Sequence, residues 1–146
     1  TYGQARAIGQ HLSVKPQDTY AAVERLSQEL SAAKARMADL ENEVFAAIAK
    51  DNEGRGDVVL FQSPMKGDSA RRLADAVAHR CGGLAAVFAG GDGQYAYALV
   101  RADGQDISAF VKEMNQALNG RGGGRKGFAQ GSVQAAEADI RTFFHL

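Results

Sequence analysis

The fold is decided by residues 84–101, LAAVFAGGDGQYAYALVR. Two runs of apolar and aromatic residues, 84–90 and 95–101, have the composition of buried β-strands. The runs are joined through Asp92-Gly93, and an Asp-Gly pair between two such runs is a strong signal for a tight turn. The stretch therefore predicts a β-hairpin.

Further elements are expected on both sides of this hairpin. Residues 58–62, VVLFQ, indicate a short buried strand because they combine β-branched and aromatic side chains. Apolar residues spaced by three and four predict helices at about 69–81 and 107–118, and a last helix at about 133–145. Cys81 lies on the apolar face of the first of these helices, so we interpret it as a core residue.

Residues 16–50 carry a heptad pattern that no glycine interrupts. Its apolar positions recur at alternating spacings of three and four: Val23, Leu26, Leu30, Ala33, Met37, Leu40, Val44 and Ala47. Such a pattern predicts one long helix with a coiled-coil seam. We interpret the seam as a surface for homodimerisation, and packing against another helix of the same parent protein is the alternative.

These elements predict an α/β protein, in which a long, coiled-coil-like N-terminal helix is followed by a small mixed-sheet α/β domain. Residues 1–15 are interpreted as the tail of an upstream domain or as a linker. Residues 16–53 are the helical stalk, and residues 54–146 are the α/β domain. The sequence begins without methionine, so we expect it to be part of a longer protein.

Composition excludes several classes of function. The 17 basic and 17 acidic residues balance, so a nucleic-acid surface must be local. No apolar stretch approaches the roughly 18 residues of a membrane span, and a cytoplasmic protein is expected. His11, His79 and His145 lie far apart, and no CxxC, HxxxH or HExxH motif is present. We therefore expect no metal, no cofactor and no catalytic activity in this chain itself.

The most unusual stretch is GRGGGRKGFAQG, residues 120–131, which is predicted to form a loop between two helices. A glycine run lets backbone N–H groups turn outward into an anion-binding nest, and nearby cations add full charges. The stretch thus predicts a nucleic-acid site, which comprises Arg121, Gly122, Gly123, Gly124, Arg125, Lys126 and Gln130. Phe128 is expected to tuck into the core. A soluble connection without any ligand is the alternative.

The glycine-rich stretch and its surroundings resemble a known family. The sequence LNGRGGGRKGFAQGS, residues 118–132, is similar to the signature of the DHH-associated domain, where a GGGR run is closely followed by AQG. This domain ends alanyl-tRNA synthetases and the long stand-alone alanyl-tRNA editing proteins. Residues 69–83, 84–104 and 106–118 resemble the helix, strand pair and helix that precede the signature, and LSVKPQDTYAAVERLSQEL resembles the helical stalk.

The resemblance implies an accessory domain that binds tRNA, specifically tRNA(Ala), and that forms homodimers. In this family a separate editing domain hydrolyses mischarged tRNA(Ala), so zinc is expected in that domain. The parent would be an aminoacyl-tRNA hydrolase or an alanine–tRNA ligase. Lys126-Gly127 stand where synthetases commonly carry Pro-Asp, and the chain ends soon after Phe143-Phe144; both departures favour the stand-alone editing protein.

Two other functions remain open at the level of the sequence. Related domains follow DHH phosphoesterases, whose loop resembles GGGH, and Arg125 occupies the place of that histidine. Arginine can bind phosphate but cannot shuttle a proton at neutral pH, so this version is expected to hold an anion. The third hypothesis is a purely structural dimerisation module. It is based on the heptad pattern and on the neutral net charge.

Overall fold

A computed structural model describes residues 16–66 and 68–146, so the predicted tail, residues 1–15, lies outside the described residues. In chain order the elements are α1 (Pro16–Asp51), β1 (Gly56–Gln62), α2 (Ser69–Cys81), β2 (Gly82–Gly91), β3 (Gln94–Arg101), α3 (Ser108–Ala117), β4 (Gly120–Arg125), β5 (Phe128–Val133) and α4 (Glu137–Phe143). The predicted α/β class with a long N-terminal helix is confirmed.

The strands form one five-stranded mixed sheet in the order β1-β2-β3-β5-β4. β1 and β2 are parallel, and α2 makes the crossover between them. The other neighbours are antiparallel. The predicted hairpin is β2–β3, whose turn residues Asp92 and Gly93 have φ values of 54° and 80°. Positive φ at both positions is what a two-residue type I′ turn requires.

Each face of the sheet has its own core. The α2-side core comprises Phe45, Ala49, Val58, Leu73, Ala74, Val77, Ala78, Cys81, Ala85, Val87, Ala98 and Val100. The α3-side core, on the opposite face, comprises Leu84, Ala86, Phe88, Tyr97, Leu99, Ile107, Val111, Met114, Leu118, Ala129, Val133 and Ile140. Alternate strand residues enter opposite cores, because successive side chains of a strand point to opposite faces.

The chain divides into two compact units between Leu40 and Glu41, and α1 contributes to both. In the first unit the apolar seam of α1 lies open. The exposed fractions are 54% for Val23, 49% for Leu26, 56% for Leu30 and 65% for Met37. These apolar side chains are therefore largely open to solvent.

In the second unit α1 buries a different stripe from the heptad seam. Phe45 and Ala49 are buried in the α2-side core, whereas the seam residue Val44 is 56% exposed. Glu41 fixes this part of the helix to α2: it accepts hydrogen bonds from the Arg72 guanidinium at 2.7 Å and from the Ser69 hydroxyl at 3.0 Å. The sheet domain is therefore covered by one stripe of α1 while the seam faces outward.

Two predictions on the C-terminal part of the chain were wrong. The stretch 120–131 is a strand pair, β4 and β5, instead of a loop between helices. The last helix starts at Glu137 instead of near residue 133, because Val133 belongs to β5 and is buried in the α3-side core. A strand made mainly of glycine has no alternation of apolar and polar side chains, so its periodicity could not be recognised.

Candidate nucleic-acid interface

The glycine-rich stretch forms a tight hairpin at the edge of the sheet. Arg125 stands opposite Phe128, and the turn between them is Lys126-Gly127, with Gly127 at a φ of 72°. Farther from the turn, Gly122 stands opposite Gly131. Paired strand geometry is not the geometry of an anion-binding nest, so the predicted nest at residues 122–124 was wrong.

Two of the glycines make room for a buried tyrosine. A Cβ added to Gly122 or to Gly131 would lie 2.5 Å or 2.6 Å from the hydroxyl oxygen of Tyr97. That hydroxyl donates to Asn115 Oδ1 at 3.1 Å, and Asn115 Nδ2 donates to the carbonyl of Gly122 at 3.3 Å. These glycines are thus needed for close packing between β3, the hairpin and α3.

Burial raises the pKa of the Tyr97 hydroxyl, and the hydrogen bond to Asn115 opposes this effect in part. The side chain is 1% exposed. An ionised phenol would lose its hydration there, so the neutral form is favoured. Tyr97 is therefore a hydrogen-bond donor in the packing of the hairpin at neutral pH.

The opposite face of the hairpin is open. We call this surface the open face and define it by Arg121, Gly123, Arg125, Gln130 and Ser132, all of which are exposed. On this side of the sheet α2 packs against β1, β2 and β3. The outer two strands therefore present their side chains to solvent.

The cations of the hairpin form no close ion pairs, although hydrogen bonds from Ser108 and, to a smaller extent, the charge of Lys126 at the tip lower the pKa of Asp106, to which Lys126 is joined by a backbone β-bridge. Among the described residues, no carboxylate lies within 4.0 Å of the cationic nitrogens of Arg121, Arg125 or Lys126. Elsewhere in the same unit arginine ion pairs are common: Arg72–Glu41, Arg80–Glu53, Arg101–Asp103 and Arg141–Glu137. The hairpin thus concentrates positive charge, only part of which is met by Asp106, in a domain that is nearly neutral.

Phe128 connects the open face to α2. Its ring is half-buried and packs against the α2-side core, as expected for this residue. The guanidinium carbon of Arg125 lies 5.8 Å from the ring centroid, and that of Arg71, from the first turn of α2, lies 4.5 Å away. Both distances are within the range of cation–π attraction.

A shallow groove of about 390 Å³ lies on the other side of β4, against α3. Its lining includes Ser108, Lys112, Asn115 and Gln116 from α3, together with Gly122 and Gly124 from β4. Within residues 16–66 and 68–146, no group of three or more His, Cys, Asp or Glu side chains is arranged to hold a metal ion. The groove is therefore lined by both polar and apolar surface, and Lys112 is its charged lining residue.

A scan against family models matches residues 54–145 to the DHHA1 domain. The chain belongs to this family. Among solved structures, the DHHA1 domain is similar to the crystal structure of the C-Ala domain from Aquifex aeolicus alanyl-tRNA synthetase. The identity is 18% and the TM-score 0.52, and the match covers 64% of this chain and 93% of that one. No curated protein matches the sequence.

The DHHA1 domain places the predicted binding residues on two sides of β4. Arg121, Gly123, Arg125 and Gln130 are together on the open face, and Lys126 is at the hairpin tip. By contrast, Gly122 and Gly124 face α3, where a Cβ on Gly124 would lie 3.1 Å from Val111. The predicted set is thus one cationic surface plus glycines that serve packing.

Sequence reasoning missed Arg71 as a neighbour of this surface. No local pattern connects a residue in the first turn of α2 with Phe128 in β5, because the sheet order alone brings them together.

Within the described part of the chain, no helix is long and apolar enough to cross a membrane.

Proposed function

We propose that the DHHA1 domain binds the phosphate backbone of tRNA through the open face and Lys126. The observation that carries the proposal is the group of three cations, Arg121, Arg125 and Lys126, none of which forms an ion pair within 4.0 Å among the described residues. Arginine can grip a phosphate with two parallel hydrogen bonds, and a strand face lets several such contacts follow one backbone. Gln130 adds a neutral donor and acceptor on the same face.

In this proposal the domain is an accessory part of an alanyl-tRNA editing protein or an alanyl-tRNA synthetase. It would raise the local concentration of tRNA(Ala) near a separate domain that deacylates mischarged tRNA or charges it. The likeness in fold to the C-Ala domain of an alanyl-tRNA synthetase supports this choice among nucleic acids. Any zinc would belong to the editing domain.

Three phosphate contacts set the expected strength of binding. With about three counterions released, the slope of log K against log salt is about −2 to −3, and the affinity is micromolar or weaker near physiological salt. Sequence-specific binding is not expected, because contacts to phosphate carry no base information.

The test is titration of a tRNA(Ala) transcript at several salt concentrations. Arg125→Ala should reduce the slope by about 1 and the affinity by about 1–3 kcal/mol, and Arg125→Lys should recover part of the loss. Arg80→Ala is the matched control, because it removes the same charge from an ion-paired arginine outside the open face. If Arg121→Ala and Arg125→Ala both bind tRNA like the control, the open face is not the interface.

Membership of the DHHA1 family also fits the C-terminal domain of a DHH phosphoesterase. Arg125 stacks near Phe128 and cannot act as a proton shuttle at neutral pH, which disfavours a catalytic part for this position. Incubation with short oligonucleotides and cyclic dinucleotides in the presence of manganese distinguishes the two proposals. Turnover that depends on Arg125 would favour the phosphoesterase.

We also propose that α1 forms a homodimer through its seam, because the seam residues from Val23 to Val44 are largely exposed although apolar. Leu30→Glu together with Met37→Glu would place like charges across a partner helix and should shift the chain to monomer. Ser27→Glu with Ser31→Glu adds the same charge outside the seam and should leave the dimer intact. Light scattering at tens of micromolar protein measures both. A wild-type monomer would contradict the proposal.

A further inference from the structure

Two arginines that are 54 positions apart in the sequence meet at one aromatic ring. Arg71 lies 4.5 Å and Arg125 5.8 Å from the centroid of Phe128, so their guanidinium carbons are at most about 10 Å apart. Both side chains are exposed at their ends, whereas Phe128 is anchored in the α2-side core. The ring thus lies between a cation of α2 and a cation of the open face, and contacts both.

The acidic residues closest to Arg71 in the sequence form no ion pair with it. Asp75, one helical turn away, has its carboxylate 3.6 Å from the His79 ring, and Asp68 is paired with Arg72 at 3.2 Å. In the described part of the chain Arg71 has no carboxylate within 4.0 Å. Its guanidinium stacks on Phe128 instead of forming the helical i,i+4 ion pair that is available to it.

Cation–π contact with one ring leaves the positive charges of both guanidinium groups without a compensating anion. A bound anion between or across the two guanidinium groups would compensate both. Arginine suits this task because its planar donors match phosphate oxygens while its face stays on the ring.

We propose that Arg71 and Arg125 form a two-point site for neighbouring phosphates of one RNA strand, with Phe128 as the positioning residue. This inference rests on the proposed RNA binding of the open face and adds α2 to it. The RNA strand would then run from the hairpin towards the first turn of α2. Arg71 contributes as much affinity as an arginine of the hairpin, although it lies outside the glycine-rich signature.

The test compares variants of the full chain in titrations with a tRNA(Ala) transcript. Arg71→Ala should weaken binding about 5- to 150-fold and reduce the salt slope by about 1, the same range that is expected for Arg125→Ala. Arg80→Ala, on the same helix, should leave both quantities near wild type. Phe128→Leu should weaken binding about 3-fold with an unchanged salt slope, because the charges remain while their positions are lost, and Phe128→Tyr should restore it. Melting temperatures identify any variant that loses its fold.

The outcomes separate this inference from the proposal on which it rests. If Arg125→Ala weakens binding while Arg71→Ala matches Arg80→Ala, the hairpin binds RNA and the two-point site is wrong. If Arg71→Ala and Arg125→Ala both bind tRNA like Arg80→Ala, the proposal that the open face binds RNA is wrong. Equal losses for Arg71→Ala and Arg125→Ala, with the control unchanged, support both.

Discussion

The two faces of the β4–β5 hairpin use the same residue type for different reasons. On the α3 side, Gly122 and Gly131 stand where any Cβ would meet the Tyr97 hydroxyl or the facing strand. On the open face, a Cβ at Gly123 would meet no atom within 4 Å. Glycine is therefore sterically required on one face and not required by packing on the other.

This difference teaches that a glycine-rich signature is not one functional unit. The glycines on the α3 side let β4 and β5 lie close to Tyr97 and Asn115, which fixes the hairpin. The position without a packing requirement lies between the two arginines, where the absence of a side chain leaves the backbone accessible. Stability and binding should therefore respond to different glycines.

The largest effect is expected from Gly131→Ala. The new methyl group would overlap the backbone carbonyl of Arg121 and lie 2.6 Å from the Tyr97 hydroxyl, and backbone cannot give way cheaply. We expect a loss of about 2–4 kcal/mol in the free energy of unfolding. Gly123→Ala, the matched control, should stay within about 0.5 kcal/mol of wild type. Urea denaturation measures the free energy of unfolding of both variants. Equal losses would contradict the claim that glycine is required on one face of the hairpin and not on the other.

A smaller effect is expected from Tyr97→Phe, which removes the hydrogen bond to Asn115 but keeps the ring. The loss should be about 1 kcal/mol at pH 7. Because the folded state raises the pKa of Tyr97, the stability from its neutral hydroxyl is fully present below pH 10 and is lost as the pH rises towards the folded pKa. The wild type should therefore lose more stability above about pH 10 than Tyr97→Phe.

Stability curves at pH 7 and pH 11 test this expectation. A difference between wild type and Tyr97→Phe that widens in favour of the wild type at alkaline pH would contradict the assigned direction of the pKa shift.

The smallest effect on stability is expected from Gly123→Val. No atom lies within 4 Å of the added Cβ, and valine suits a strand, so the melting temperature should hardly change. If an RNA backbone approaches the open face between Arg121 and Arg125, the isopropyl group should reduce tRNA affinity about 3- to 10-fold. Gln130 lies opposite Gly123 on β5, and Gln130→Ala tests whether its side chain also contributes to tRNA affinity. Unchanged affinity in Gly123→Val would mean that RNA does not pass over this position.

Local chemistry was enough to predict much of the fold. The β2–β3 hairpin was found because its apolar runs flank Asp92-Gly93, whose positive φ values are set by the turn itself. The helix α2 was found because Leu73, Val77 and Cys81 recur at helical spacing and Gly82 ends it with a φ of 83°. These features depend on residues that are close in the sequence, so they can be predicted from the local sequence pattern.

The arginines of the candidate site were also found from the sequence, because an unbalanced cationic cluster is visible without coordinates. The arrangement of these arginines on β4 could not be predicted from the sequence. In GRGGGR the glycines have no side chains to alternate, so neither the strand nor its two faces could be recognised. The requirement for glycine at 122 and 131 arises from the backbone of the facing strand and from the Tyr97 hydroxyl, and both are brought there by strand pairing.

The sequence by itself determined that this protein has a long amphipathic helix, a β-hairpin, the helices α2 and α3, and a cationic glycine-rich segment. Tertiary structure alone decided that Phe45 and Ala49 are buried while the heptad seam stays exposed, and that Arg71 joins Arg125 at Phe128. The physical reason is that propensity, turn chemistry and charge are local properties. Burial and the meeting of distant side chains depend on which surfaces the sheet order places in contact.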